Sequence, residues 1–387
     1  MTAPILPDPL RRAAKGLTEG RMVVLTDLER SDSASHLVAA AELLDDNAVR
    51  FMTRHSAGII YAPLPDERAD RLALAPMVSD PTADEPAGTV SMDFDVTASG
   101  ASVSARAATI RALAHPESAP HEFRRPGHVF PLRARRGGVL AHAGHTEATV
   151  DLLGMAGLSG VGATAELVTE TGDLLLGEEV GSFADEFDLP TITVTDIVRH
   201  RRITEFRIEP GATARMPTAF GTFRATGFRD VIDGAEHLAL VAGNVALTDE
   251  SADGFAVHVH RECPIGDTFG ARGCLCSAQL RQSMRAVAAA GAGVIVYLRT
   301  GHQVGLLSRI AARHQDLEER DLDDSAQILR GLGIGRVRPL SDAPALYDRL
   351  ADHGIEIVSV DLARAIPTPR QAWSDNLSGA IDVVAAG

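Results

Sequence analysis

His258-Val259-His260-Arg261-Glu262-Cys263 leads through Gly266-Asp267 into Arg272-Gly273-Cys274-Leu275-Cys276, and this window holds every cysteine of a 387-residue chain. Ten residues separate the first cysteine from the second, and one separates the second from the third. Three thiolates fill three corners of a tetrahedral zinc site and leave the fourth for water, which is the arrangement of a catalytic rather than a structural zinc. The spacing therefore makes Cys263, Cys274 and Cys276 a candidate metal triad. It leaves two alternatives open: a disulfide with one thiol left over, and a closed structural site completed by His258 or His260.

Outward from this window the chain has ordinary globular composition, 45% hydrophobic and 23% charged, and a length that allows two or three domains. A net charge of −15 argues against a general nucleic-acid binder, though not against a phosphorylated small molecule held by a local group of arginines. Residues 1–15 lack the apolar core of a signal peptide, and the apolar run 286–298 is too short to span a bilayer. A cytoplasmic protein with reduced thiols, bound to neither membrane nor nucleic acid, is the expectation.

Short valine-rich runs at 21–26, 57–63, 238–241, 256–260, 294–298 and 355–360 read as strands. Helices are expected at 9–17, at 104–114, from Ser277 to a stop at Gly291, and from Pro344 to Gly354. A helix is also expected over 37–44, capped by Ser33 or Ser35, and another after Gly144, capped by Thr146. The Thr191–Ile197 alternation and the stretch Ile203–Ile208 read as strands. Basic character and the breaker Pro210-Gly211 place a domain boundary near residue 203. The fold class is α/β: an α+β domain over 1–203, then an α/β domain over 204–387.

Two long strings then identify a resemblance. Arg125-Pro-Gly-His-Val-Phe-Pro-Leu-Arg-Ala134 and Gly144-His-Thr-Glu-Ala-Thr-Val-Asp-Leu152 are similar to the second half of 3,4-dihydroxy-2-butanone-4-phosphate synthase. The cysteine window resembles the zinc motif of GTP cyclohydrolase II. Over nearly its full length the chain resembles the riboflavin-biosynthesis proteins in which these two enzymes are fused.

The resemblance implies a set of site residues. In the first half, magnesium is held by a glutamate in an acidic loop and by the histidine matching His145, with Arg30, Thr146 and Glu166 at the same site. Here the loop reads Asp27-Leu-Glu-Arg-Ser-Asp-Ser-Ala-Ser35, so Ser31, Ser33 and Ser35 stand where the family has acids. Magnesium prefers carboxylate oxygen. Mg2+ is therefore not expected, and this half reads as a vestigial, folded synthase.

In the second half, zinc-bound water attacks the guanine ring and C8 leaves as formate. The triad is kept, Arg320 matches the catalytic arginine and Glu318 the proton-accepting acid. Gln279, Arg261, Glu262 and Ser341 fall on substrate-binding positions. Against this, the phosphate motif shrinks to Gly301-His302, Arg313 stands for a tyrosine, and a guanine-recognition stretch is absent. The implied function is zinc-dependent cyclohydrolase-type hydrolysis of GTP or a related heterocyclic nucleotide by a homodimer. The alternatives are an inactive regulatory or scaffolding homologue, and retained synthase activity.

Overall fold

The computed structural model describes residues 6–27, 34–78, 87–94, 99–244, 254–271, 275–299, 317–341, 343–358 and 366. Two compact units divide the chain, Met1–Thr204 and Glu205–Gly387.

The first unit runs α1 (Asp8–Thr18), β1 (Val23–Thr26), β2 (His36–Ala40), α2 (Asp46–Arg54), β3 (Tyr61–Leu64), α3 (Asp66–Arg71) and β4 (Met92–Phe94). It continues through α4 (Val103–Ala114), β5 (Phe123–Arg133), α5 (His145–Met155), β6 (Gly162–Glu166), α6 (Glu178–Glu186) and β7 (Thr191–Thr193) to α7 (Val194–Thr204). Its strands form a mixed sheet in the order β4-β5-β3-β6-β2-β1-β7. Alternate residues of a strand face opposite sides of a sheet, and both sides here are apolar. Val24, Leu37 and Ala39 join Val49 and Met52 of α2 and Ile110 of α4. Val23, Leu25, Val38 and Ala40 join Leu10, Leu152 and Ile197 from α1, α5 and α7.

Residues 37–44 are not a helix. His36–Ala40 is a strand between β1 and β6, and a 3-10 turn follows. An Ala- and Leu-rich run has helical propensity, but burial on both faces of a central strand overrides it. The extended reading of 191–197 holds only to Thr193, and α7 carries the chain through Thr204, across the start of the stretch expected as a strand at 203–208. Ser102 caps α4 by accepting from Ala105 N at 3.2 Å.

The second unit runs β8 (Ile208–Thr218), β9 (Gly221–Asp230), β10 (Glu236–Ala242), β11 (Phe255–Arg261), α8 (Cys276–Ala290), β12 (Gly293–Leu298), α9 (Glu319–Gly331), β13 (Arg336–Pro339), α10 (Pro344–Asp352) and β14 (Glu356–Ile357). The sheet order is β14-β13-β11-β12-β10-β9-β8. Pro210-Gly211 lies inside β8, where the pairing with β9 shifts register, and does not break the chain. Gly291 ends α8 in the left-handed region, φ 71°.

Alternation again sorts the faces. Phe255, Val257 and Val259 pack with Leu322 and Leu329 of α9 and Leu346 and Leu350 of α10. The opposite face meets α8 through Leu240, Ile295, Met284 and Val287. His258 and His260 take the intervening positions of β11, on that second face.

Candidate functional site

The parallel pair β11–β12 ends at Arg261 and Leu298. Ligand sites of α/β sheets form at such carboxyl ends. Here the cysteine window leaves the sheet, and the start of α9 and the turn from β9 to β10 converge on it.

Cys263 follows β11 directly and its Sγ accepts from Gly266 N at 3.3 Å. Cys276 is the first residue of α8 and is buried. No disulfide joins the two. Cys274 and the motif positions Gly301, His302 and Arg313 lie outside the described residues. Among the described residues no three His, Cys, Asp or Glu groups are placed to hold a metal. The donor chemistry of the two thiols fits zinc: one accepts a backbone amide beside β11 and the other sits at the N-terminus of α8, and sulfur is a ligand that zinc takes readily.

His258 Nδ1 lies 2.8 Å from Ser341 Oγ, and His260 Nε2 lies 3.0 Å from Asp267. Each histidine thus has a side-chain partner among the described residues. Gln279, one turn along α8 from Cys276, is buried. Arg261 donates to Glu318 at 2.8 Å and stands 3.3 Å from Asp321. Glu318 is the N-cap residue of α9. Burial pushes the Asp321 carboxyl above its usual range despite the neighbouring Arg261. Glu262 pairs with Arg299 Nε at 3.4 Å.

Arg320 faces a different set of partners. It donates to Asp233 at 2.5 Å and Asp230 at 3.1 Å, and stands 3.6 Å from Asp324. Burial alone lowers its pKa, but Asp324, Asp233 and Asp230 more than offset this and raise it. The arginine matched to the catalytic position is therefore held by three carboxylates, while Arg261 is the one joined to Glu318.

In the first unit, β2 begins where β6 ends, with His36 opposite Glu166. The His36 and His145 rings lie 4.2 Å apart, and His36 Nε2 is 3.9 Å from Glu166. Burial lowers the His145 pKa, partly countered by Asp27, and among the described residues its buried Nε2 has no hydrogen-bond partner. An orphaned neutral imidazole nitrogen is an available ligand for a cation. Thr146 does not cap α5; Gly144 occupies the N-cap position and has no side chain to offer. Arg30, Ser31 and Ser33 lie outside the described residues.

Sequence reasoning assigned no role to Asp267, Tyr297, Arg299 or His36. Their contacts depend on strand pairing, such as His260 opposite Tyr297, and the strand runs alone do not fix that register.

His258 is enclosed, and burial together with His260 holds its pKa down to about 3 from an ordinary 6.5. The folded chain keeps it neutral while the unfolded chain protonates, so this contribution is whole above the unfolded value and is lost as pH falls toward about 3. The slope is about 1.4 kcal/mol per pH unit. Unfolding free energy is expected to lose about 2 kcal/mol from this group between neutrality and pH 5. Urea titrations at both pH values check it: His258→Gln flattens the slope by that amount, and an unaltered slope contradicts the assignment.

No described helix is long and apolar enough to cross a membrane. The family model for 3,4-dihydroxy-2-butanone 4-phosphate synthase matches residues 11–200, and that for GTP cyclohydrolase II matches residues 209–361. The chain is 38% identical over 393 aligned positions to the riboflavin biosynthesis protein RibBA of Mycobacterium avium, covering 96% of this chain and 91% of that protein. The RibBA proteins of Mycobacterium marinum and Mycobacterium tuberculosis match with the same identity and coverage. Among solved structures, RibBX, a two domain 3,4-dihydroxy-2-butanone 4-phosphate synthase from A. baumannii, superposes with a TM-score of 0.72. It is 27% identical, and the match covers 91% of this chain and 98% of that one.

Proposed function

Because the chain belongs to the bifunctional riboflavin-biosynthesis proteins, with a 3,4-dihydroxy-2-butanone 4-phosphate synthase domain before a GTP cyclohydrolase II domain, we propose that its second half is a zinc-dependent hydrolase. Its substrate is GTP or a related heterocyclic nucleotide. The observation that carries this reading is the pair of thiols, not joined by a disulfide, at the carboxyl end of β11 and the start of α8, with Arg261, Glu318 and Ser341 at the same end of the sheet. Cys263, Cys276 and Cys274 would hold the zinc, which when bound lowers the pKa of its water and supplies a nucleophile near neutral pH.

The chain's own groups do the rest. Glu318, held by Arg261, is placed to move a proton. Ser341, fixed by His258, and Gln279 orient the ring. Arg299 and Arg261 lie where an anionic substrate would enter, each already paired with a carboxylate. Phosphate must displace those partners, so GTP itself is expected to bind weakly. We take the working form to be a cytoplasmic homodimer. The test is incubation of the zinc-loaded chain with GTP and a nucleotide panel, following formate and diphosphate. Stoichiometric zinc with no formate from any of them would leave the scaffold reading in its place.

For the first half we propose that the serines of the acidic loop leave it without synthase turnover. A second reading, retained synthase activity, is favoured by His145 Nε2, which has no hydrogen-bond partner among the described residues and lies beside His36 and Asp27. The solved two-domain synthase supports it as well. The same formate assay, supplied with ribulose 5-phosphate and Mg2+, separates the two.

A further inference from the structure

We propose that Asp267 is the positioning residue for the Cys263 metal ligand: its carboxylate, fed by donors from two strands and from the cysteine's own amide, fixes where the sulfur sits. The proposal rests on the zinc reading above and deepens it.

Three donors converge on this one side chain. His260 Nε2 approaches at 3.0 Å, Tyr297 Oη donates at 2.9 Å, and the backbone N–H of Cys263 donates at 2.9 Å. His260 comes from β11 and Tyr297 from the facing position of β12. Both histidine and aspartate are buried, at 4% and 7% exposure. A buried carboxylate is costly unless it is hydrogen-bonded, and here all three donors meet Oδ2, with His260 also 3.1 Å from Oδ1. The same residue closes the turn from the other side: its backbone N–H donates to Cys263 O at 2.6 Å, while Gly266 N–H reaches Cys263 Sγ.

Cys263 is thus clamped at its nitrogen, its carbonyl and its sulfur by Gly266 and Asp267. Asp267 in turn is anchored to the sheet rather than to the loop. The His260 and Tyr297 rings stack at 5.4 Å, which stiffens the anchor. Burial and the adjacent Asp267 charge raise the Tyr297 pKa, so its hydroxyl stays protonated as a donor. Groups that orient a ligand without touching the metal typically carry 10–100-fold of metal affinity.

The experiment measures zinc content of the wild-type chain first, then zinc affinity by chelator competition, the visible spectrum of the Co2+-substituted chain, and the melting temperature of the metal-free chain. Asp267→Asn is expected to weaken zinc about 10–100-fold and to shift the Co2+ absorption bands. Tyr297→Phe removes one hydroxyl and keeps the ring, so it should weaken zinc about 5-fold, the worth of one hydrogen bond, on top of a lowered melting temperature in the metal-free chain. If Asp267→Asn does not fold, Tyr297→Phe decides. Wild-type affinity and spectra in both variants overturn the proposal while leaving the zinc reading standing. A lowered melting temperature with unmoved affinity reduces Asp267 to a staple of the fold and overturns it too. A wild-type chain without zinc overturns both readings at once.

Discussion

Cys276→Ser is expected to abolish stoichiometric zinc and to lower formate release by at least about 100-fold, the upper end of what losing even an outer partner costs a metal site. The sulfur it removes is buried at the first position of α8. A serine hydroxyl there stays protonated near neutral pH and is a poor ligand for zinc. The helix itself should survive, because serine is a good residue at a helix start, and α8 keeps Met284 and Val287 packed on the sheet. Metal analysis, circular dichroism and the formate assay on one preparation separate the possibilities. Helix content kept, zinc gone and turnover gone is the result expected. Zinc lost with turnover unchanged would falsify metal-dependent hydrolysis and return the second unit to a binding or scaffolding role.

How far such a site was legible depends on where its partners lie in the chain. The cysteine triad is local, so its spacing announces it. The apolar runs of β10, β11 and β12 and the periodic face of α8, closed by Gly291, are local in the same sense. Helix α9 escaped because its inward face is not apolar throughout. Asp321, Asp323, Asp324, Ser325 and Gln327 are all buried beside Leu322, Ala326 and Leu329. A hydrophobic-periodicity reading takes such a segment for a solvated one, and only tertiary partners such as Arg207, Arg349 and His353 explain the buried acids. The strand at 36–40 failed for the opposite reason. It is apolar on both faces, a pattern that helices and central strands share. Asp267 was visible within its motif, but its role was not, since two of its donors come from strands whose register no short pattern reveals.

The same distant pairing underlies the largest stability effect. Arg207→Ala is expected to cost the second unit about 3–5 kcal/mol, the range for removing one member of a buried ion network. Arg207 donates to both Asp230 and Asp324, with 5%, 1% and 2% of the three side chains exposed. Its own backbone N–H reaches Gln327 Oε1 at 2.9 Å, so the start of β8 is tied to α9 twice over. Alanine leaves two enclosed carboxylates with Arg320 as their one remaining guanidinium among the described residues, and Arg320 is 37% exposed and already bound to Asp233; His237, 3.5 Å from Asp324, and the Ile232 N–H on Asp230 also stay in place. Lysine would not rescue it, because one ammonium does not reproduce the planar fork that spans both acids. Arg320→Ala touches the same carboxylates from the solvent side and leaves Arg207 in place. It should cost clearly less stability, while a role in turnover would show as a drop in rate. Denaturant unfolding and the formate assay on both variants therefore pull the two arginines apart. A loss below about 1 kcal/mol for Arg207→Ala, the level of an exposed pair, would mean that water reaches these acids. The contrast between a buried Arg207 and a partly exposed Arg320 would then be lost.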